Sequence, residues 1–285
     1  MAQTVKIISD STCDLSKDLL EKYDIAILPL HILLGETEYR DGVDITPEEI
    51  FRWSDENKTT PKTSAPSMTE AMEVMKPFLD EGREIICFSI SDSMSTSGNV
   101  MRLAAEELEA SDKVTVINSA NLSTGIGLQV IQAALLSAAG KTRAQITAAI
   151  EEIRPRVRAS FTVDTLTYLY RGGRCNAVAA LAGTMLKLHP RIVVEDGAMD
   201  ASKKYRGKLS SVILSYTKDM EDDLKNAVPD RVFITHSGCD REIVESVRSY
   251  LESLGIFNEI LETRAGGVIS SHCGPGTLGV LFIEK

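Results

Sequence analysis

Short apolar stretches alternate with longer segments of helical periodicity through the first half of the chain. Val5–Ser9, Ile85–Ile90 and Val114–Ile117 have the length and apolar character of buried strands. Asn99–Ala110 and Gly125–Ala139 repeat their apolar residues at the helical period. Strands that alternate with helices are typical of a mostly parallel sheet with helices on both faces.

Capping signals predict further helices in the same half. Thr46 and Ser67 are each followed three residues later by Glu, which is the capping-box pattern of a helix start. The helix that begins after Ser67 is expected to end near Glu81. The apolar segment Ile25–Leu34 reads as one extended stretch.

The second half of the chain has a different pattern and a strong hairpin signal. Asp196-Gly197, flanked by Arg191–Glu195 and Met199–Tyr205, is typical of a two-residue turn between antiparallel strands. Helices are predicted at Asn176–Lys187 and Leu209–Lys225. The remaining predicted elements are strand Val232–His236, helix Arg241–Leu254, strand Glu259–Thr263 and the terminal strand Gly279–Ile283.

These patterns predict an α/β protein of two domains. Residues 1–157 form the expected N-terminal α/β domain, and residues 158–285 form the expected C-terminal α+β domain. The boundary falls near Pro155–Ser160, where the sequence has no flexible linker. Two domains joined this tightly are expected to enclose a cleft, which is a common place for a ligand.

Composition narrows the class of protein. The chain has 285 residues, is 43% hydrophobic and 25% charged, and carries a net charge of −10, which argues against a nucleic-acid footprint. Its five cysteines are far apart, contain no CxxC pair and indicate reduced thiols in a cytoplasmic protein. Neither a signal peptide nor an apolar run of membrane-spanning length is recognised. We expect no metal and no cofactor.

Hydroxyl-rich loops follow several of the predicted strands. Asp10-Ser11-Thr12, Ser91–Ser97 and Asn118–Asn121 each lie between a strand and a helix. The carboxyl ends of parallel strands share one edge of a sheet, where ligands usually bind, and helix N-termini favour anions. These residues also suit ordinary helix caps. However, the five hydroxyls between Ser91 and Ser97 exceed what capping requires, so a ligand-binding loop is favoured.

Three other segments carry candidate chemistry. Thr63 and Ser64 lie between two prolines, as a binding loop or as a plain polar loop. Arg171-Gly172-Gly173-Arg174 offers two cationic arms for a carboxylate or phosphate, although Gly and Arg also suit a helix C-terminus. His272 precedes Gly274-Pro275-Gly276, either as part of a site or beside a tight turn before the last strand.

Common catalytic signatures are absent from the sequence. It has no GxxxxGK[ST] phosphate loop, no GxGxxG after a strand, no GxSxG nucleophile elbow and no HExxH. These absences argue against a kinase or a dehydrogenase that acts alone.

Five motifs in order resemble the DegV family, and together they span nearly the whole chain. The motifs are Ser9–Leu15, Thr63–Ser67, Ile90-Ser91 with Met94-Ser95, Arg171–Arg174 and His272–Gly276. The resemblance implies a bacterial fatty-acid-binding protein that holds a long-chain acid such as palmitate between its domains. Some members of the family are the acyl-carrying subunit of fatty acid kinase, in which a separate ATP-binding subunit phosphorylates the carboxyl group.

The resemblance also implies roles for individual residues. Thr63, with Ser64 beside it, and Ser95 correspond to hydroxyls that bind the carboxylate. His272 corresponds to a histidine near that carboxylate, and Arg174 to an arginine tied to the carboxyl end and the kinase partner. The resemblance therefore implies a lipid-binding protein with no catalytic group of its own.

One loop departs from the family pattern. Where the family has Ser-Gly-Thr-Tyr-Gln, this chain has Ser95-Thr96-Ser97-Gly98-Asn99, so Thr96 replaces Gly and Gly98 replaces Tyr. Ser97 retains a second hydroxyl and is taken as a ligand-binding candidate. Ala65 stands where Gln is more common, which removes a polar contact near the head group.

Two other functions remain open at the level of sequence. Ser95 or Cys273 could act as a nucleophile with His272 as base on an ester or acyl phosphate, which requires nucleophile and base within hydrogen-bond reach. The anion-favouring loops would also suit a phosphosugar or dihydroxyacetone.

Overall fold

The computed structural model describes residues 5–175 and 188–285. Its strands are β1 Val5–Asp10, β2 Ile25–Leu28, β3 His31–Leu34, β4 Thr37–Arg40, β5 Lys62–Ser64, β6 Glu84–Ser89, β7 Val114–Asn118, β8 Val157–Thr162, β9 Leu188–Glu195, β10 Ala198–Arg206, β11 Ala227–Ser237, β12 Glu259–Arg264 and β13 Thr277–Glu284. Its α-helices are α1 Lys17–Lys22, α2 Pro47–Asn57, α3 Met68–Asp80, α4 Ser97–Glu107, α5 Thr124–Ala138, α6 Arg143–Ile153, α7 Thr167–Gly172, α8 Leu209–Lys218, α9 Glu221–Lys225, α10 Arg241–Leu254 and α11 Gly267–Cys273. The predicted helix Asn176–Lys187 lies outside the described residues.

The first sheet is parallel, as the alternation of strands and helices predicts. Its strand order is β2-β1-β6-β7, and all three pairings are parallel. Helices α3 and α4 pack on one face, and α5 and α6 pack on the other. Successive side chains of β1 therefore enter different cores: Ile7 joins the α5 and α6 side and Ile8 joins the α3 and α4 side.

The second sheet is mixed and has six strands. Its order is β10-β9-β8-β13-β11-β12, with only β11 and β12 parallel. The predicted Asp196-Gly197 hairpin is confirmed: both residues have positive φ, 49° and 79°, as a tight hairpin turn requires. One face of this sheet packs against α8 and α10, around Tyr216.

Helix α5 lies between the two sheets. Eleven of its fifteen residues are buried, and it contacts β1 in the first sheet and β8 and β13 in the second. A helix that is apolar on all sides must be covered on all sides, which explains the uniformly apolar character of this segment. The helix joins the cores of both sheets into one packed unit. The domain boundary near residue 157 stays a prediction.

Several local predictions were wrong. The extended segment Ile25–Leu34 breaks at Pro29, and β3 joins a small antiparallel sheet of order β4-β3-β5 that the apolar pattern did not predict. The helix Leu209–Lys225 is interrupted after α8, where Asp219 accepts a hydrogen bond from Tyr205 Oη at 2.7 Å. His272 is in the last turn of α11, so the expected turn begins only at Gly274.

Within the described ranges, no helix has both the length and the apolar character needed to cross a membrane.

Candidate ligand-binding cavity

A cavity of about 430 Å³ opens where the strand ends of the first sheet meet α11 and the hairpin. Thr63, Ser64, Ser95, Arg174 and His272 all line it, so five of the six predicted site residues meet in one place. These residues come from β5, the loop after β6, the segment after α7, and α11. A volume of this size lies within the range of small-molecule sites.

The sixth predicted residue, Ser97, has a different position. Its side chain is fully buried, and its hydroxyl donates to Asp10 Oδ2 at 2.9 Å. It is not among the residues that line the cavity. The prediction that Ser97 contacts a ligand therefore has no support in this geometry, because the hydroxyl is already bonded inside the protein.

Thr63 and His272 form a pair at one end of the cavity. Thr63 Oγ1 lies 2.8 Å from His272 Nε2, and His272 Nδ1 is buried without a hydrogen-bond partner in the described part of the chain. Burial, reinforced by the Arg174 guanidinium, lowers the pKa of His272 to about 4, so the ring is neutral at neutral pH.

The unpaired nitrogen of His272 indicates the direction of its hydrogen bond with Thr63. A buried N–H without an acceptor is rarer in proteins than an unpaired acceptor, so we assign the ring proton to Nε2. Nε2–H then donates to Thr63 Oγ1, and the Thr63 hydroxyl proton is free to point into the cavity. Gly172 packs directly against this ring: a Cβ atom there would lie 2.4 Å from Nδ1.

Ser95 is arranged in a similar way. Its hydroxyl oxygen accepts the Ser97 backbone N–H at 3.2 Å, which leaves its proton for a ligand. The loop that carries it is fastened to the hairpin, because Ser91 and Ser93 both donate to the Gly197 carbonyl. The side chain of Thr96, the N-cap residue of α4, makes no capping bond. We call Thr63, Ser95 and His272 the polar end of the cavity.

Much of the remaining cavity lining is apolar. It includes Leu30, Ile90, Met94, Leu122, Val268 and Ile269. A second pocket of about 20 Å³ shares Leu122, Ile269 and Cys273 with the cavity and continues to Phe161 and Leu281 of the second sheet. We call this shared group and the small pocket the apolar end.

Arg174 stands at the exposed side of the cavity. Gly173 ends α7 with φ 67°, and Arg174 Nη1 donates to the Gly172 carbonyl at 2.7 Å. The segment is thus both a helix C-terminus and part of the site, which combines the two interpretations of the sequence. Arg171 points elsewhere, toward the Lys58 carbonyl.

Comparison with known proteins identifies the family of the chain. The model of the DegV family, a family of uncharacterised proteins, matches residues 4–285. A DegV domain-containing protein of Clostridium perfringens is 32% identical over 99% of both chains. The chain belongs to the DegV family.

Two solved structures resemble the chain closely. A DegV family protein from Thermus thermophilus, described for its fatty acid binding, is 31% identical with a TM-score of 0.91 and covers 99% of this chain and 100% of its own. A stearic-acid-binding protein from Eubacterium ventriosum is 32% identical with a TM-score of 0.85, covering 99% of this chain and 98% of its own. The family membership and the α/β fold expected from the motifs are confirmed.

The arrangement does not favour a covalent enzyme. His272 Nε2 is bonded to Thr63, and neither ring nitrogen has a hydrogen bond to Ser95 in the described residues. Burial raises the pKa of the Cys273 thiol, so this cysteine is held as the unreactive thiol. The nucleophile–base contact that covalent catalysis needs is missing for both candidates.

A larger groove of about 800 Å³ lies elsewhere and contains none of the predicted site residues. Arg154, Arg158 and Arg191 line it, but so do Glu151, Glu195, Asp196 and Asp223. Opposite charges in nearly equal number give this groove no clear ligand class.

Sequence reasoning missed the helix that carries His272. Gly266 and Gly267, followed by two β-branched residues, do not look like a helix start by propensity. The available signal was the spacing of Val268, Ile269 and His272, which places them on neighbouring faces of a helix. Two of the apolar lining residues were missed with it.

Proposed function

We propose that this DegV family chain binds a long-chain fatty acid such as palmitate, with the carboxylate at the polar end and the chain directed to the apolar end. The observation that carries this proposal is that the hydroxyls of Thr63 and Ser95 line one cavity with many apolar residues. Ser95 Oγ accepts the Ser97 N–H, and Thr63 Oγ1 accepts from His272 with the ring proton assigned to Nε2, so both hydroxyl protons are available to the cavity. Two donors beside an apolar space suit a head group that only accepts hydrogen bonds, which is an ionised carboxylate.

Burial of the acyl chain supplies the larger part of the affinity. Roughly fourteen methylenes at about 0.8 kcal/mol each give a gross gain of about 11 kcal/mol. Loss of translational freedom and ordering of the chain cost several kcal/mol of that gain. The remainder is compatible with sub-micromolar binding. The carboxylate contacts then orient the acid.

The similar proteins support the same ligand class. A family member from Thermus thermophilus is described for its fatty acid binding, and one from Eubacterium ventriosum binds stearic acid. Both cover nearly the whole of this chain.

We further propose that the protein presents its acid to a separate ATP-binding kinase subunit, as the acyl-carrying subunit of fatty acid kinase. The proposal is supported by Arg174, which is exposed and lines the cavity, where a cationic side chain suits contact with a partner that reaches the carboxyl group. The chain has no phosphate-binding loop of its own. The sequence has five widely spaced cysteines and no CxxC pair, a pattern that favours a cytoplasmic location.

The test is native mass spectrometry of protein purified without delipidation. We expect an added mass in the range of C16–C18 acids, and displacement of that mass by excess palmitate. A protein that is consistently empty and does not take up palmitate would overturn the proposal. Loading with hexadecan-1-ol, which has the same tail without the carboxylate, is the matched control for the head group.

A further inference from the structure

The Ser9–Leu15 motif at the end of β1 does not line the cavity, yet it takes part in a network of buried hydrogen bonds. Three carboxylates lie buried there: Asp10, Asp14 and the nearby Asp41 are 0%, 5% and 2% exposed. Buried charges are costly unless they are fully hydrogen-bonded. Their bonds therefore show what each carboxylate holds.

Asp10 holds the loop that carries Ser95. Its Oδ2 accepts from the Ile90 backbone N–H at 2.9 Å and from the Ser97 hydroxyl at 2.9 Å. These two partners flank the loop on either side of Ser95. Asp10 Oδ1 is itself fixed by the backbone N–H and the hydroxyl of Thr12.

Asp14 and Asp41 hold the start of α11, the helix that carries His272. Asp14 Oδ1 accepts from the Gly266 N–H at 2.8 Å, and Asp41 Oδ1 accepts from the Gly267 N–H at 2.7 Å. Such a close approach requires a residue without a side chain, because a Cβ atom on Gly267 would lie 2.9 Å from Asp41 Oδ1.

Ser11 joins these contacts into one network. Its hydroxyl donates to Asp41 Oδ2 at 2.8 Å and accepts the Leu30 N–H at 3.1 Å. The motif after β1 is therefore bonded both to the Ser95 loop and to the start of the His272 helix. These two segments carry Ser95 and His272 of the polar end.

We propose that Asp10, Asp14 and Asp41 are positioning residues that fix Ser95 relative to the Thr63–His272 pair. The proposal rests on the proposed function, since the geometry they set is that of the carboxylate site. It assigns a role to the Ser9–Leu15 motif that the cavity lining does not explain. Purely structural caps would stabilise the fold without any effect on head-group selectivity.

The test compares Asp41→Ala with Asp41→Asn. An Asn retains an oxygen for the Gly267 N–H and an amide that donates to Ser11, whereas Ala removes both contacts. We expect Asp41→Ala to lose the preference for palmitate over hexadecan-1-ol by roughly tenfold or more, and Asp41→Asn to keep most of it. Ser137→Ala is the control, because it removes a buried hydrogen bond to the Val5 carbonyl and does not line the cavity.

If the wild type prefers palmitate and Asp41→Ala retains the same preference, the positioning role is overturned and the proposed function stands. A wild-type protein that binds no palmitate overturns the proposed function instead.

The positioning role is then judged without ligand, by NMR titration of His272. In the wild type its pKa is about 4, and we expect it to rise toward the ordinary value in Asp41→Ala; an unchanged titration contradicts the inference. If Asp41→Ala fails to fold, Ser11→Ala serves in both measurements.

Discussion

The two ends of the cavity are built in different ways. The polar end consists of three side chains from distant positions, Thr63, Ser95 and His272, and each is oriented by a specific hydrogen bond or a close contact. The apolar end consists of Leu122, Ile269 and Cys273, which belong to the same continuous core as the surrounding strands and helices. A few precise donors define the head group, while ordinary core residues define the space for the tail.

The largest effect is expected from reducing space at the apolar end. Leu122→Phe would reduce the space inside the cavity where it meets the small pocket, and each methylene excluded from the cavity costs about 0.8 kcal/mol. We expect palmitate affinity to fall about 100-fold and laurate affinity to change little, as measured by competition in native mass spectrometry. Leu135→Phe, at an exposed position, is the control. An equal loss of affinity for palmitate and laurate would show that the polar and apolar ends of the cavity are not independent.

Removing a donor at the polar end should have a smaller effect. Ser95→Ala is expected to weaken palmitate binding by about 1–3 kcal/mol, because one buried partner of the carboxylate is lost. Binding of hexadecan-1-ol should be affected much less. Ser253→Ala, on the exposed side of α10, provides the reference. Palmitate affinity equal to that of the wild type would remove Ser95 from the site.

Substitutions of two neighbouring glycines distinguish the effect of moving the His272 ring from the effect of backbone strain. Gly172→Ala puts a methyl group 2.4 Å from His272 Nδ1, so it should displace the ring and reduce palmitate affinity about tenfold. Gly173→Ala has open space but a φ of 67°, so it should lower the free energy of unfolding by about 1 kcal/mol and leave affinity unchanged. Equal affinities of the two variants would contradict the role given to Gly172.

Acid should act on the polar end through His272. Its pKa in the folded protein is about 4, below the value of 6.5 that the unfolded chain shows, so the stability from the neutral ring is complete above pH 6.5 and is lost as the pH falls toward 4. We expect the wild type to lose on the order of 1 kcal/mol per pH unit below pH 6 relative to His272→Gln, measured by urea unfolding. If the free energy of unfolding depends on pH in the same way in the wild type and in His272→Gln, the ring is not buried as described.

The smallest effect on affinity is expected from Arg174. Its side chain is exposed, so Arg174→Ala should leave palmitate affinity within about twofold, since solvent screens the contribution of an exposed charge. Phosphorylation of the bound acid by an ATP-binding fatty acid kinase subunit should be abolished. Arg206→Ala, an exposed charge on β10 away from the cavity, is the matched control. Turnover retained in Arg174→Ala would remove the arginine from the partner contact.

Much of the fold could be predicted because its signals are local. The alternation of strands and helices predicted the parallel sheet, and Asp196-Gly197 predicted the hairpin from the positive φ that its turn requires. The helix that carries His272 was missed, because Gly266 and Gly267 lower the helix propensity of its start. Those glycines are needed there for contact with Asp14 and Asp41, which lie far away in the sequence.

The sequence by itself determined which side chains are available for a carboxylate and in which motifs they occur. Only the tertiary structure decided that Thr63 meets His272 across 209 residues, that Ser97 turns to Asp10, and that Thr63 and Ser95 line one cavity. Local propensity acts over a few residues, whereas the direction of a buried hydrogen bond depends on every group packed around it. The apolar end shows the same limit, because Leu122 and Ile269 have the sequence character of any core residue until packing leaves a space beside them.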